Sequence, residues 1–161
     1  MATENPAISY SPPPAWLIRL VNPVTRALLR SPLHGLLGAG LAVLSLRGRK
    51  TGTEYVFPVS WHELNDEVYL LTGERWRRNL DEPAEVELTH RGRRVKKRAE
   101  QLTNPEAAAR AYLRAIERYG LRAARRRMGV VVPDRDRLGF EEVAAACQEG
   151  RLAAIRLTDP E

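Results

Sequence analysis

Gly48-Arg49-Lys50-Thr51-Gly52 sets two cations and a hydroxyl between two glycines. Glycine at each end lets a chain reversal adopt positive φ, and the exposed backbone N–H groups of such a turn can hold an anion. Arg49, Lys50 and the Thr51 hydroxyl would add charge-assisted hydrogen bonds to a phosphate. The same residues equally describe a solvated basic hairpin tip. A second cluster, Thr72-Gly73-Glu74-Arg75-Trp76-Arg77-Arg78-Asn79-Leu80, sets one tryptophan among three arginines at a strand end. An indole offers a flat face and guanidinium groups pair with phosphate or carboxylate, so the cluster suits a planar, anionic ligand. Alternatively Trp76 and Leu80, four apart, dock a short helix on the core and leave the arginines outside. Both readings can hold together, with Arg77 and Asn79 projecting from an anchored turn.

Other chemistries are poorly represented. His34, His62 and His90 are widely separated, with no HExxH spacing and no carboxylate at a ligand offset, so no metal site is expected. There is no GxSxG elbow, no Walker A loop and no GxGxxG, and Ser45 and Ser60 fall inside strand patterns. Redox chemistry would therefore need a bound cofactor. Cys147 is the single cysteine, which excludes intramolecular disulfides and cysteine zinc sites and fits a reducing, cytoplasmic setting. The charge balance, 26 basic against 20 acidic residues, favours an anionic partner, although nearly all the basic residues are arginine.

The elements that must position these residues follow from the pattern of the 161-residue chain, enough for one well-buried domain. Residues 1–14 read as a disordered or extended lead with a proline run and no secretory signal pattern. Residues 15–40 read as an interrupted helical segment, Trp16, Leu17, Leu20 and Val21 on one face and Arg19, Arg26 and Arg30 on the other. Strands are expected at 41–47, 54–61, 67–72, 84–90 and 93–102, with Pro58 confining its strand to an edge or bulge. Thr103-Asn104-Pro105-Glu106 starts a helix, Asn104 as its cap and Pro105 in its first turn. Ala109, Tyr112, Leu113 and Ile116 form its apolar stripe, and Gly120 ends or bends it. Arg122, Arg125, Arg126 and Arg127 form a basic stretch. A short helix over Phe140 to Cys147 and a sixth strand at 151–157 complete the chain. The expected architecture is α+β and mainly β: about six antiparallel strands closed into a barrel, with N-terminal and C-terminal helices packed outside.

Taken in order, the apolar strand, the G-R-K-T-G turn, the strand with an internal proline and the W-R-R-N-L-x-x-P run resemble the deazaflavin-dependent nitroreductase family. That family belongs to the flavin/deazaflavin oxidoreductase superfamily, which has an FMN-binding-like split β-barrel. The resemblance runs from about Leu41 to the helix beginning at Pro105, and N-P-x-x-R-x-L-L-R at 22–30 is similar to the family's first helix. It implies a deazaflavin coenzyme with its phosphate near Arg49, Lys50, Thr51 and Gly52. Its ring would lie along Tyr55, Pro58, Val59 and Ser60, near Thr72, Gly73, Trp76, Arg77 and Asn79. It further implies hydride transfer to a quinone, nitro compound or activated alkene, with Tyr112 or Tyr119 as a proton donor if either is not a packing residue. The loop at Gly73 is shorter than the family's, Arg77 replaces a common aromatic, and residues 121–149 are longer and more basic.

Other readings stand beside this one. FMN is the alternative cofactor; the deazaflavin, with a phosphodiester and polyglutamate tail, would make more use of Arg75, Arg77 and Arg78. The same barrel could hold FMN, a fatty acid, haem or tetrapyrrole without turnover. RGRRVKKR (91–98) and RAARRR (122–127) could contact nucleic acid, but the first reads as a hairpin and edge strand whose cations block sheet-to-sheet pairing. The first helical segment could rest on a membrane surface. A homodimer across a sheet face is a further expectation.

Overall fold

The computed structural model describes residues 8–10, 40–128, 130–131 and 138–161. The expected helical segment at 15–40, with its membrane-facing residues, therefore lies outside the described residues except for Gly40. The described strands are β1 (Ser9–Tyr10), β2 (Leu41–Arg47), β3 (Glu54–Ser60), β4 (His62–Leu64), β5 (Glu67–Thr72), β6 (Ala84–His90), β7 (Arg93–Gln101), β8 (Val130–Val131) and β9 (Ala153–Thr158). A 3-10 helix spans Arg75–Leu80, and three α-helices follow: α1 (Pro105–Tyr119), α2 (Leu121–Met128) and α3 (Phe140–Gln148).

Seven antiparallel strands form one sheet in the order β3-β2-β6-β7-β9-β5-β4, and β1 pairs separately with β8. Only Trp61 separates β3 from β4, yet these are the two edges of the sheet. The first strand pairs with β2, Ser60 opposite Leu41, while the second pairs with β5, His62 opposite Tyr69. The sheet must therefore curl until its ends meet, and the Ser60 hydroxyl donates to the Leu71 carbonyl across the closure at 3.2 Å. The result is a split-barrel α+β fold. The break at Trp61, whose N–H turns aside to the Gly40 carbonyl at 2.9 Å, is why seven strands stand where about six are expected.

Period-two alternation then builds two cores. In β5, Val68 and Leu70 face the inner cluster with Leu44, Leu88 and Ile155, whereas Tyr69 and Leu71 face the outer one. The helices cover that outer face, bringing Ala108, Ala109, Tyr112, Met128 and Val143 against it. Burial on both faces is why 67–72 reads as an almost continuous apolar run. The Asn104 side chain caps α1 by accepting from Glu106 and Ala107 N–H at 2.9 and 3.3 Å, and Gly120 ends the helix with φ 80°.

One strand sits differently from its sequence reading. β7 is an edge in its first half alone: it pairs with β6 from Arg93 to Ala99, and β9 joins its other side only from Arg98 to Gln101. Its cations are interleaved with acidic partners, Glu87 opposite Lys96 and Glu85 opposite Arg98. Lys97 pairs with Asp159 at 2.6 Å. Opposite charges facing one another across a ladder stabilise the pairing.

Candidate functional site

The two clusters that opened the sequence reading meet. The Arg49 backbone N–H donates to Asn79 Oδ1 at 3.0 Å, and the Arg49 guanidinium pairs with Asp81 at 3.1 Å. Asn79 is aimed by its own amide, which donates to the Trp76 carbonyl at 2.9 Å. Gly48 and Gly52 make the reversal possible. Gly52 has φ 66°, and a Cβ on Gly48 would lie 2.9 Å from the Tyr55 ring. Within the turn, Gly52 N–H donates to the Gly48 carbonyl and Thr53 N–H to the Thr51 hydroxyl. Lys50 is exposed at the tip and makes no ion pair among the described residues.

Beyond the 3-10 helix lies a cavity of about 390 Å³, lined on one side by Pro58, Val59, Ser60, Thr72 and Trp76. These are five of the residues expected at the ring. The Trp76 indole is fixed by a tilted contact with Phe57, ring centroids 5.2 Å apart. The turn residues Arg49, Lys50, Thr51 and Gly52, together with Tyr55, do not line this cavity. They occupy the other end of β3, so the two parts of the expected site are joined by the length of one strand.

Several expected residues have structural partners. Arg77 leaves the cavity and donates to the Gly150 carbonyl at 2.6 Å, tying the 3-10 helix to the loop after α3. The Thr72 hydroxyl accepts from Glu74 N–H at 3.0 Å. Gly73 does not line the cavity; a Cβ there would stand 2.4 Å from the Tyr10 ring and 2.6 Å from the Arg151 carbonyl, so close approach of backbone to ring demands glycine. Tyr112 is 1% exposed, and its hydroxyl donates to the carbonyls of Ala153 and Thr72 at 2.9 and 3.3 Å. Burial pushes its phenol pKa well above the ordinary value. Its proton is thus held between two strands. Tyr119 is half-buried at the end of α1, with the His62 ring 5.7 Å away and the Arg127 guanidinium 4.4 Å over its face.

The opposite wall of the cavity is the part that sequence reasoning missed. It consists of Arg125, Arg126, Arg127 and Met128 from α2, with Tyr10 and Glu74 at the side. Tyr10 donates to Glu74 at 3.1 Å, and burial, then the Glu74 charge, raises its pKa. In the sequence these arginines belong to a run read as a solvated or nucleic-acid-facing stretch. The signal that places them is Ala124 and Met128, four apart and both buried, which anchor a helix where only charge was visible. Arg125–Arg127 sit in its last turn, where cations complement the negative end of the helix dipole.

No protein-family model and no curated protein sequence matches the chain. A solved structure named only as a domain-swapped dimer is 16% identical, with 87% of this chain and 97% of that chain covered and a TM-score of 0.48. Another, named as a 5-nitroimidazole antibiotic resistance protein from Bacteroides thetaiotaomicron, is 15% identical over 76% of this chain and 74% of its own, with a TM-score of 0.37.

Proposed function

We propose that the chain binds a flat, anionic redox cofactor of the deazaflavin class, with FMN as the alternative, and acts as an oxidoreductase on a quinone, nitro compound or activated alkene. The observation that supports this reading is the coupling of Arg49 to Asn79, which joins a basic turn to the helix whose Trp76 lines the cavity. The donor chemistry fits such a group: a cation and hydroxyl at the turn for phosphate, an indole and an apolar strand for a ring. At roughly 300–1,000 Å³, ligand pockets are usually of this cavity's size class.

Lys50 and the Thr51 hydroxyl would hold the phosphate, while Pro58, Val59, Ser60 and Trp76 would flank the ring. The bound cofactor supplies a hydride, a chemistry no side chain here can provide. The protein's own work is orientation, anion pairing and exclusion of water by the walls of β3, β5 and α2. Tyr112 is assigned a structural role in this scheme, because its hydroxyl is committed to two backbone carbonyls.

Titration of the purified protein with reduced deazaflavin and with FMN, followed by absorbance, tests the reading. Saturable binding with acceptor-dependent oxidation supports it; no binding of either cofactor sinks it. The absence of a disengaged phenol at Tyr112 favours one second reading, a binder of the same ligands without turnover. That outcome is recognised by tight binding with no oxidation when acceptor is added.

A further inference from the structure

Three side chains meet at the break between β3 and β4. The Trp61 indole stacks on the His90 ring, with centroids 4.1 Å apart and planes 11° from parallel. Its Nε1–H donates to Glu63 Oε1 at 3.0 Å, and His90 Nδ1 lies 3.0 Å from the Leu41 carbonyl. His90 Nε2 is buried without a hydrogen-bond partner, 3.9 Å from that same Glu63 oxygen. The cluster spans the split in the barrel: His90 belongs to β6 and Glu63 to β4, and in the sheet these strands are separated by β7, β9 and β5.

We propose that His90, Glu63 and Trp61 form a proton-operated clasp across the split. A proton taken up at His90 Nε2 turns an unsatisfied contact into an imidazolium–carboxylate pair that ties β6 to β4. Loss of that proton removes the pair and leaves the ring stack in place.

The hydrogen-bond inventory carries the assignment. A carbonyl oxygen can only accept, so the Leu41 contact fixes the hydrogen of the neutral ring on Nδ1 and leaves the lone pair on Nε2. An ionised carboxylate is also acceptor-only, so neutral His90 and Glu63 have no donor to share. A buried acceptor left without a partner is costly, and a proton at Nε2 supplies the missing donor. Glu63 Oε1 has lone pairs for two donors, so Trp61 keeps its bond when the pair forms. The indole face stacked on the ring attracts a cation as well. Across the ladders His90 stands opposite Ala42 of β2 and Arg93 of β7. Among the described residues the charged groups facing it are therefore Glu63, which favours the proton, and Arg93, which opposes it from an exposed position where water and salt screen it. Histidine is the side chain that ordinarily changes charge between pH 5 and 8, which makes this cluster responsive in that range. Leu41 and Ser60, on either side of the clasp, also line the cavity, so the clasp holds strands that bound it.

Two measurements on the full chain test this. In nitrogen NMR at pH 8, His90 should carry its hydrogen on Nδ1 with Nε2 bare, and Nε2 should gain a proton as the pH is lowered to 5.5. A double-mutant cycle followed by urea unfolding then separates the pair from its packing. His90→Asn keeps a donor for Leu41, and Glu63→Gln keeps an acceptor for the Trp61 indole. Their coupling should change the folding constant by less than about twofold at pH 8 and by about threefold or more at pH 5.5. A neutral ring with its hydrogen on Nε2, no proton uptake at Nε2 by pH 5.5, or the same coupling at both pH values overturns the proposal.

Discussion

The backbone N–H of Arg49 donates to the side chain of Asn79, 30 residues on, at 3.0 Å. This single contact makes the hairpin tip and the tryptophan-bearing helix one unit, and the Asn79 amide closes the arrangement on the Trp76 carbonyl. Asn79→Ala removes both bonds and should cost about 1 kcal/mol of stability. It should also weaken deazaflavin or FMN binding about fivefold, the equivalent of the same free energy. Asn79→Asp keeps an acceptor for Arg49 but no donor for Trp76, so it should fall between the two. Chemical denaturation and cofactor titration check the pair. An alanine variant with unchanged affinity would show that the turn and the helix act separately.

Gly73 stands where β5 leaves the sheet and the Tyr10 ring crosses it. Gly73→Ala would force a methyl into the Tyr10 ring and the Arg151 carbonyl, and the carbonyl cannot swing aside. The expected loss is about 1–3 kcal/mol, the usual range for overpacking. Tyr10→Ala in the same background relieves the ring clash and should restore part of it. Thermal melts of the single and double variants read this directly. Full additivity of the two losses would mean that the ring is not what Gly73 accommodates.

Tyr112→Phe separates packing from chemistry. The phenol hydroxyl bridges the carbonyls of Thr72 and Ala153, in strands β5 and β9. Deleting it removes the one buried donor that these two carbonyls share and should cost roughly 1–3 kcal/mol. With a structural role, acceptor reduction per folded molecule stays within about twofold of the parent, because no transition-state interaction is lost. A drop of about a hundredfold would instead mark Tyr112 as a proton donor.

Where side-chain pattern and backbone requirement coincide, the fold was legible in the sequence. Strands 41–47, 67–72 and 84–90 fall at their expected bounds, and Asn104-Pro105 opens α1 as its cap chemistry dictates. The Trp61 break was not legible, since a strand that changes partners keeps its alternation and only its hydrogen bonds reveal the change. In the strand wall of the cavity, Trp76 could be anticipated from residue type, and Pro58 to Ser60 only from the family resemblance. Its arginine wall could not, because LRAARRRM reads as charge unless Ala124 and Met128 are known to be buried. Likewise β7 reads as a protected edge, and only its register with β9 makes its second half, from Arg98, interior.

His62 is wholly buried, 0% exposed, and neither ring nitrogen has a hydrogen-bond partner among the described residues. Burial, then the Arg127 charge, lowers its pKa from 6.5 to about 4. The sign follows from which state binds the proton. Between those values the unfolded chain carries imidazolium while the native one does not, so protons favour unfolding and stability falls as pH drops through the window. The full contribution is present above the unfolded value and is lost progressively toward pH 4, amounting to roughly 3 kcal/mol at about 1.4 kcal/mol per unit. His62→Phe removes the titrating group and also two unsatisfied nitrogens, so it should be as stable as the parent or more so at neutral pH. Carboxylates titrate in both proteins, so the difference between their urea midpoints is the readout. That difference should widen steadily on acidification; parallel pH profiles would mean that the native imidazole finds water or a partner and accepts its proton as an exposed histidine does.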